Sequence, residues 1–517
     1  MSPPSRLLAS TAALAILLTG CGGEGDEAGI RHVLVITLDT TRADHLSCYG
    51  GSRFETPALD ALADQGVRFE DCTAPAATTL SSHASLMTGT YPHRHGAVRN
   101  GFALDPGNRT LAESLREMGF WCAAVVGSSA LVARTGLDQG FHHYDDAFDE
   151  SISAGGNDQA QRRASSVTEA VLTHVDEVLA RPGSDGARLF LFAHYFDPHA
   201  PYAPLPEFAQ GAKLAVGDVD DIERAVRSHQ QRVLGEPLGQ QAVISGGLRP
   251  ALAAPIDARP SSLDRDLAFL YGAEVVGMDR EIGRLLAGLT ARGILDDTLV
   301  VVTADHGETF WERGNFWNHG LWVGQSDVHV PLLVRPPRST FSGQGRTVAE
   351  PVSGVDVAPT ILDLLGATPE PEADPGRGRS LVAALDGSAL PPRAVFSEAT
   401  QPGPSLESGD ALPWRGARKP HAARLGRWKL VAADYLSARQ LFDLASDRDE
   451  SVDLLADDEL TPEAQSALGE LDAAYGKWRD AARPLPSEFD ESQVPALIGL
   501  GYAEAGGEEP EAGAKER

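Results

Sequence analysis

Cysteine is scarce in this sequence: four in 517 residues. Cys21 lies close to the N-terminus, and the spacings of Cys48, Cys72 and Cys122 fit no zinc motif. One disulfide is compatible with an oxidising compartment, and three small buried hydrophobes are compatible with any compartment. Positive charge is also in short supply. Lysine and arginine total 44 against 73 aspartates and glutamates, for a formal net charge of −29. That balance argues against a nucleic-acid partner, whose phosphates call for a basic face. It also argues against electrostatic adhesion to anionic lipid. An anionic substrate would need local positive charge, which a bound metal supplies. The apolar run Leu7–Leu18 is about a dozen residues long, short of the ~20 that span a bilayer.

That run follows Arg6 and ends in Leu18-Thr19-Gly20-Cys21, before the polar stretch Gly22-Gly23-Glu24-Gly25-Asp26-Glu27. Small residues ahead of a cysteine resemble the lipobox of bacterial lipoprotein signal peptides. The resemblance implies loss of residues 1–20, lipidation of Cys21 and a tether over 21–30. It implies a bacterial cell-envelope location, periplasmic or outer-membrane, with membrane contact through the lipid anchor.

A hydrophobic content of 42% is ample for a large core. Val33–Leu38 is a nearly continuous apolar run, which predicts a strand buried on both faces. Ala187–Phe196, Thr298–Thr303 and Val330–Val334 read the same way, and Cys122–Val126 is strand-like. Thr56–Gly66 and Thr110–Met118 have helical spacing. Strands alternating with helices predict a doubly wound α/β sheet, which binds ligands beyond the C-terminal edges of its strands. Asp39, His194, His199, Asp305 and His306 all fall at such edges. The stretch 204–260 lacks periodicity and reads as an insertion or flexible loop. Gly366–Arg393 reads as a linker to a smaller C-terminal unit, where Arg424–Val431 and Gln440–Leu444 read as a strand pair and Thr461–Ala482 as an amphipathic helix. The polar tail from 486 to 517 is expected to be partly disordered.

Four groups of residues carry chemistry. Asp39 directly follows a buried strand, where a carboxylate serves as a hard-metal ligand or merely caps a helix. Thr78 and Thr79 open a helical pattern, placing hydroxyls where a helix N-terminus attracts oxyanions. His83 lies one turn on from Thr79, on the same face. Asp305-His306-Gly307-Glu308 offers an oxygen and a nitrogen ligand, with His319 a little further on. His194 and His199 bracket the segment Tyr195-Phe196-Asp197-Pro198. A lone histidine is more often structural, but two at one strand edge raise the case for function.

The Asp39 stretch, Thr56-Pro57-Ala58-Leu59-Asp60, Ser85–Gly89, Tyr91–Gly96, Asp197–Tyr202, Asp305–Glu308 and Arg424–Val431 occur in the order seen in sulfatases. From about Ile30 to Leu454 the chain resembles that family. The resemblance implies an alkaline-phosphatase-like α/β fold: a doubly wound mixed sheet with helices on both faces, plus a small C-terminal antiparallel-sheet subdomain. The expected units are a catalytic domain over 31–366 and a subdomain over 394–485. The implied activity is metal-dependent hydrolysis of sulfate esters or related phosphate or phosphonate esters on a small molecule, glycan or lipid.

The sequence departs from the family pattern at the nucleophile. The family places a Cys or Ser there that is converted to formylglycine; counting back from Ser85–Gly89, the position is Thr79, with His83 where an Arg is usual. Threonine does not undergo that conversion. The Lys and His that clamp sulfate are missing near Gly127–Ala130, and His306 stands where an Asn is common. The set Asp39, Thr79, Asp305, His306 is similar to the metal set of phosphoethanolamine transferases and nucleotide phosphodiesterases, where a threonine is both ligand and nucleophile. A histidine ligand favours Zn²⁺ or Mn²⁺ over Ca²⁺, the family default. The expected roles are Asp39, Asp305, His306 and Thr79 on the metal, Thr79 as nucleophile, and His199 or His194 as leaving-group acid. His319 is expected on substrate or a second metal, and His83 on Thr79 or the anion. A head-group phosphotransferase and a catalytically degenerate binding lipoprotein are the alternative readings.

Overall fold

The computed structural model describes residues 29–51, 53–148, 150–154, 157–200, 202–210, 262–310, 312, 319–320, 322–337, 345–367, 374–399, 419–434, 437–456 and 459–483. Cys21, the signal segment, nearly all of the tether, residues 211–260 and the tail lie outside them.

Strands β1 (His32–Leu38), β2 (Val67–Thr73), β3 (Phe120–Val125) and β4 (His143–Asp145) come first, followed by a separate hairpin, β5 (Glu150–Ala154) and β6 (Asn157–Gln161). Then come β7 (Arg188–Tyr195), β8 (Thr298–Ala304), β9 (His329–Arg335), β10 (Arg346–Val348) and β11 (Val352–Ser353). Among the described residues the main sheet has nine strands, ordered β10-β2-β9-β8-β1-β7-β3-β4 with β11 also on β2. All pairings are parallel except those of β9, which runs antiparallel to both β2 and β8. The unbroken apolar runs at the centre follow from burial on both faces: all seven residues of β1 and of β8 are buried.

Helices cover the sheet in two groups. α1 (Pro57–Gln65) and α5 (Ala164–Leu179) both pack on α6 (Ser262–Ala291). α2 (Thr79–Thr88), α4 (Leu111–Glu117) and α8 (Val357–Leu364) pack on one another; α3 (Pro92–His95) and α7 (Gln325–Val328) are single turns. Local signals set the ends. α1 begins with Pro57 in its first turn, and α4 starts with a capping box between Thr110 and Glu113. Cys72 and Cys122 are buried and Cys48 half-buried, all as free thiols, so they act as packing residues.

A second sheet of four antiparallel strands follows, in the order β12 (Val395–Glu398), β13 (His421–Leu425), β14 (Trp428–Ala433), β15 (Ala438–Asp443). Helix α9 (Pro462–Asp480) covers it with Leu471, Tyr475 and Trp478. The expected single strand Arg424–Val431 is instead a tight hairpin. Gly426, at φ +55°, turns the chain so that Leu425 pairs with Trp428.

Register builds the site. β1 lies between two parallel neighbours, with Leu38 opposite Tyr195 of β7 and Ala304 of β8. The three strands therefore end level, and Asp39 and Asp305 leave the sheet side by side. This is where a doubly wound sheet opens its crevice.

Candidate metal centre

Asp39, Asp305 and His306 are fully buried, and one ligand atom from each falls within 4.8 Å of the others. Asp39 Oδ1 and Asp305 Oδ2 have no hydrogen-bond partner among the described residues. Buried carboxylate oxygens are almost always paired, so two orphans on adjacent strand ends mark a place for a cation. Electrostatics agree. Burial, together with the charges of Asp305 and Glu308, holds the Asp39 carboxyl well above its ordinary range. Burial pushes Asp305 up to about 6. Two like charges in a dry pocket are costly without a counter-ion.

The surrounding groups orient these ligands. His306 donates from Nδ1 to the Gly307 carbonyl at 2.9 Å, which leaves the Nε2 lone pair facing Thr79 Oγ1 at 3.4 Å and Asp305 Oδ2 at 3.4 Å. Asp305 Oδ1 accepts from the backbone N–H groups of His306 and Thr40. Thr40 reaches that position in the left-handed region, at φ +50°. The donor set fits a divalent metal: two carboxylates, one imidazole nitrogen with its tautomer fixed, and a hydroxyl alongside.

Thr79 is the first residue of α2, and Thr78 precedes it in extended conformation. Its hydroxyl therefore sits at the positive end of a ten-residue helix. The Leu80 N–H is already donated to Asn100 Oδ1 at 2.8 Å. That bond leaves the buried Asn100 Nδ2 without a partner among the described residues, and the same holds for the hydroxyls of Ser129 and Thr40. Asn100 had no signal in the sequence, where it looks like an ordinary loop polar residue; Thr40 stands where the family has a second Asp, and Ser129 falls in the Gly127–Ala130 stretch that lacks the sulfate clamp.

The structure divides the predicted histidines. His83 has both ring nitrogens engaged, Nδ1 with the Thr79 carbonyl at 2.7 Å and Nε2 with Thr37 Oγ1 at 2.9 Å. It braces the turn that carries Thr79, and no nitrogen is left for an anion. His194 is likewise engaged on both sides, with Asp39 Oδ2 at 3.1 Å and the Gly127 N–H at 3.2 Å. With both nitrogens taken, His194 is placed to orient the Asp39 carboxylate. His199 differs. Its Nδ1 donates to the Ala200 carbonyl at 2.6 Å, while the buried Nε2 has no partner among the described residues. Its ring lies 5.2 Å from that of His319, which lies 4.3 Å from that of His306. His319 Nδ1 is 3.4 Å from Glu308 Oε1. Glu308 also accepts from Tyr202, and burial pushes it up to about 7. Glu308 and Tyr202 were visible only as members of longer motifs.

Comparison with known proteins gives the family and the fold. The sulfatase family model matches residues 31–367. The chain is 29% identical over 421 residues to the steryl-sulfatase of Mus musculus, a match covering 70% of this chain and 66% of that one. It is 24% identical over 421 residues to the N-acetylglucosamine-6-O-sulfatase of Bacteroides thetaiotaomicron, covering 71% and 73%. Among solved structures, the phosphonate monoester hydrolase of Silicibacter pomeroyi has the same fold, with a TM-score of 0.62 at 24% identity over 89% of this chain and 96% of that one. The family model spans well over half of the sequence and includes Asp39, Thr79, Asp305 and His306, and the chain belongs to the sulfatase family.

Proposed function

We propose that this protein is a metal-dependent ester hydrolase that cleaves phosphate or phosphonate esters in preference to sulfate esters, with Thr79 as its nucleophile. The observation that carries the reading is the pair of orphaned oxygens on Asp39 and Asp305, facing His306 Nε2 and the Thr79 hydroxyl at the start of α2. Asp39, Asp305 and His306 would hold the ion, with Thr79 Oγ1 as a fourth donor. A nitrogen among the ligands favours Zn²⁺ or Mn²⁺. When bound, such an ion supplies Lewis-acid stabilisation of phosphoryl charge and eases loss of the Thr79 proton.

The chain's own groups account for the rest. Thr79 Oγ1, its proton released to solvent, bonds to phosphorus as the bond to the leaving oxygen breaks, and His199, protonated on both nitrogens, delivers a proton from Nε2 to that oxygen. The α2 N-terminus, with the Asn100 amide bonded to its Leu80 N–H, stabilises the equatorial oxygens. His199 then takes a proton from water as its oxygen attacks phosphorus; the bond to Thr79 Oγ1 breaks, and that oxygen regains its proton from solvent. One water is consumed and one alcohol released per turnover. The same residue argues against sulfate: a formylglycine hydrate expels sulfate by returning to the aldehyde, whereas a sulfo-threonine has no such exit. The substrate in this reading is a glycan or other small-molecule ester, presented at the C-terminal edge of β1, β7 and β8. The N-terminal segment ending at Cys21 supports placing the enzyme on the bacterial envelope by a lipid anchor. Fatty-acid labelling that survives Cys21→Ala would rule that anchor out. Among the described residues no helix is long and apolar enough to cross a membrane.

Intact-protein mass spectrometry with aryl phosphodiesters, phosphonates and sulfates tests the chemistry. A phosphoryl adduct mapped to Thr79, absent from Thr79→Ala, is the expected result. Full activity in Thr79→Ala, or faster turnover of the sulfates than of the phosphorus esters, would overturn it.

A further inference from the structure

A buried ion pair lies in the C-terminal sheet, away from every group assigned above. Lys429 of β14 is 1% exposed and Glu450, in the loop after β15, is 3% exposed. Lys429 Nζ lies 2.5 Å from Glu450 Oε1 and donates to the Val323 carbonyl at 2.6 Å and to Gln325 Oε1 at 3.3 Å. Glu450 Oε2 in turn accepts the Gln325 N–H at 3.1 Å. Glu450 holds this place at φ +55°, a strained conformation for a residue with a side chain. A dry ion pair gains little net stability, because desolvation offsets its attraction. What it does provide is direction: Val323, just before α7, and Gln325, its first residue, are both held by the pair.

From α7 the contacts run to the metal centre. The Gly307 N–H donates to the Asp327 carbonyl at 2.7 Å, and Gly307 O accepts from His306 Nδ1. Thr309 closes the same contact by bonding the Ser326 and Asp327 side chains. We propose that the Lys429–Glu450 pair is a positioning device for the metal centre: it fixes the Val323–Asp327 turn, which holds Gly307 and thereby aims His306 Nε2. The small sheet then has a catalytic purpose beyond completing the fold. The proposal rests on the reading of Asp39, Asp305 and His306 as metal ligands.

The test is Mn²⁺ titration of the EDTA-treated full chain, with free ion followed by electron paramagnetic resonance. The double variant Lys429→Met/Glu450→Gln removes both charges together, so no unpaired buried charge is left to unfold the protein. A second double variant, Arg424→Leu/Asp71→Asn, removes another link between the two sheets, the Arg424–Asp71 pair, which approaches α7 only where Asp71 lies 3.8 Å from His329 at its C-terminal cap, at the other end from Val323–Gln325. The first variant is expected to bind Mn²⁺ about 10-fold or more weakly, as when groups supporting metal ligands are lost. The second is expected to retain wild-type affinity even where its melting temperature falls as far. Unchanged affinity in the first variant, or equal weakening in both, overturns the proposal. A wild-type chain that binds no Mn²⁺ overturns the metal reading itself, and the proposal with it.

Discussion

His194 donates from Nε2 to Asp39 Oδ2 at 3.1 Å while its Nδ1 accepts the Gly127 N–H at 3.2 Å. The ring is thus locked in one tautomer, and burial holds its pKa well below the ordinary histidine value. Gly127 is needed there because a Cβ would fall 2.9 Å from the His194 carbonyl oxygen. A neutral, doubly bonded imidazole orients Asp39 and moves no proton. His194→Gln should therefore weaken metal binding by about 10- to 100-fold, with the leaving-group dependence of the rate unchanged. Isothermal titration with Zn²⁺, alongside rates for a series of leaving groups, checks both halves.

Burial, with Asp305 and Glu308 nearby, raises Asp39, and burial raises Asp305 to about 6. A carboxyl raised by folding stabilises the metal-free fold fully below its unfolded value of about 4. That contribution disappears as pH rises through about 6 for Asp305. Metal binding has the opposite sign, because the ion displaces those protons and binds more tightly as they leave. The gap in melting temperature between metal-loaded and EDTA-treated protein should open steadily as pH climbs across this window. Parallel curves at all pH values would count against the carboxylate pair as the ion's seat.

His199 has its Nδ1 proton committed to Ala200 and its Nε2 directed at no described group. Burial, helped by His319, lowers its pKa to about 3. An incoming anion favours the protonated ring, coupling proton uptake to substrate binding. His199→Gln should slow esters with poor alkoxide leaving groups by ~10²- to 10⁴-fold and spare activated nitrophenyl esters. A leaving-group plot that falls uniformly across the series would exclude the acid role.

The sheet's centre was legible because β1, β7 and β8 are buried on both faces, so their apolar runs are unbroken and end at ionisable residues. The hairpin at Gly426 was hidden, since Leu425 and Trp428 continue an apolar pattern across the turn. β4, β10 and β11 have two or three residues each, too few to show a period. Asp39, Thr79, Asp305 and His306 stood out by position after strands or at a helix start, and the structure brings them together. The difference between His83, His194 and His199 was not readable. It depends on which ring nitrogen is already taken, and the partners Thr37 and Gly127 come from distant segments.

Gly307 links His306 to Glu308 at the tightest backbone contact in the site. A Cβ there would lie 2.0 Å from the Ser326 carbonyl oxygen and 3.2 Å from Arg42 Cγ. The carbonyl cannot swing away cheaply, because the neighbouring Asp327 carbonyl is bonded to the Gly307 N–H and Ser326 itself to Thr309. Gly307→Ala must then push α7 and the His306 backbone apart, at a cost of about 1–3 kcal/mol typical of overpacking. Because Gly307 O also fixes His306 Nδ1, the displacement reaches the ligand nitrogen. Gly186→Ala is the matched control, since nothing lies within 4 Å of a Cβ at that position. Metal titration should show a clear loss of affinity in Gly307→Ala and none in Gly186→Ala. If Gly307→Ala is destabilised but binds metal as the wild type does, His306 is aimed by its side-chain neighbours alone, and the backbone route from α7 carries no positioning.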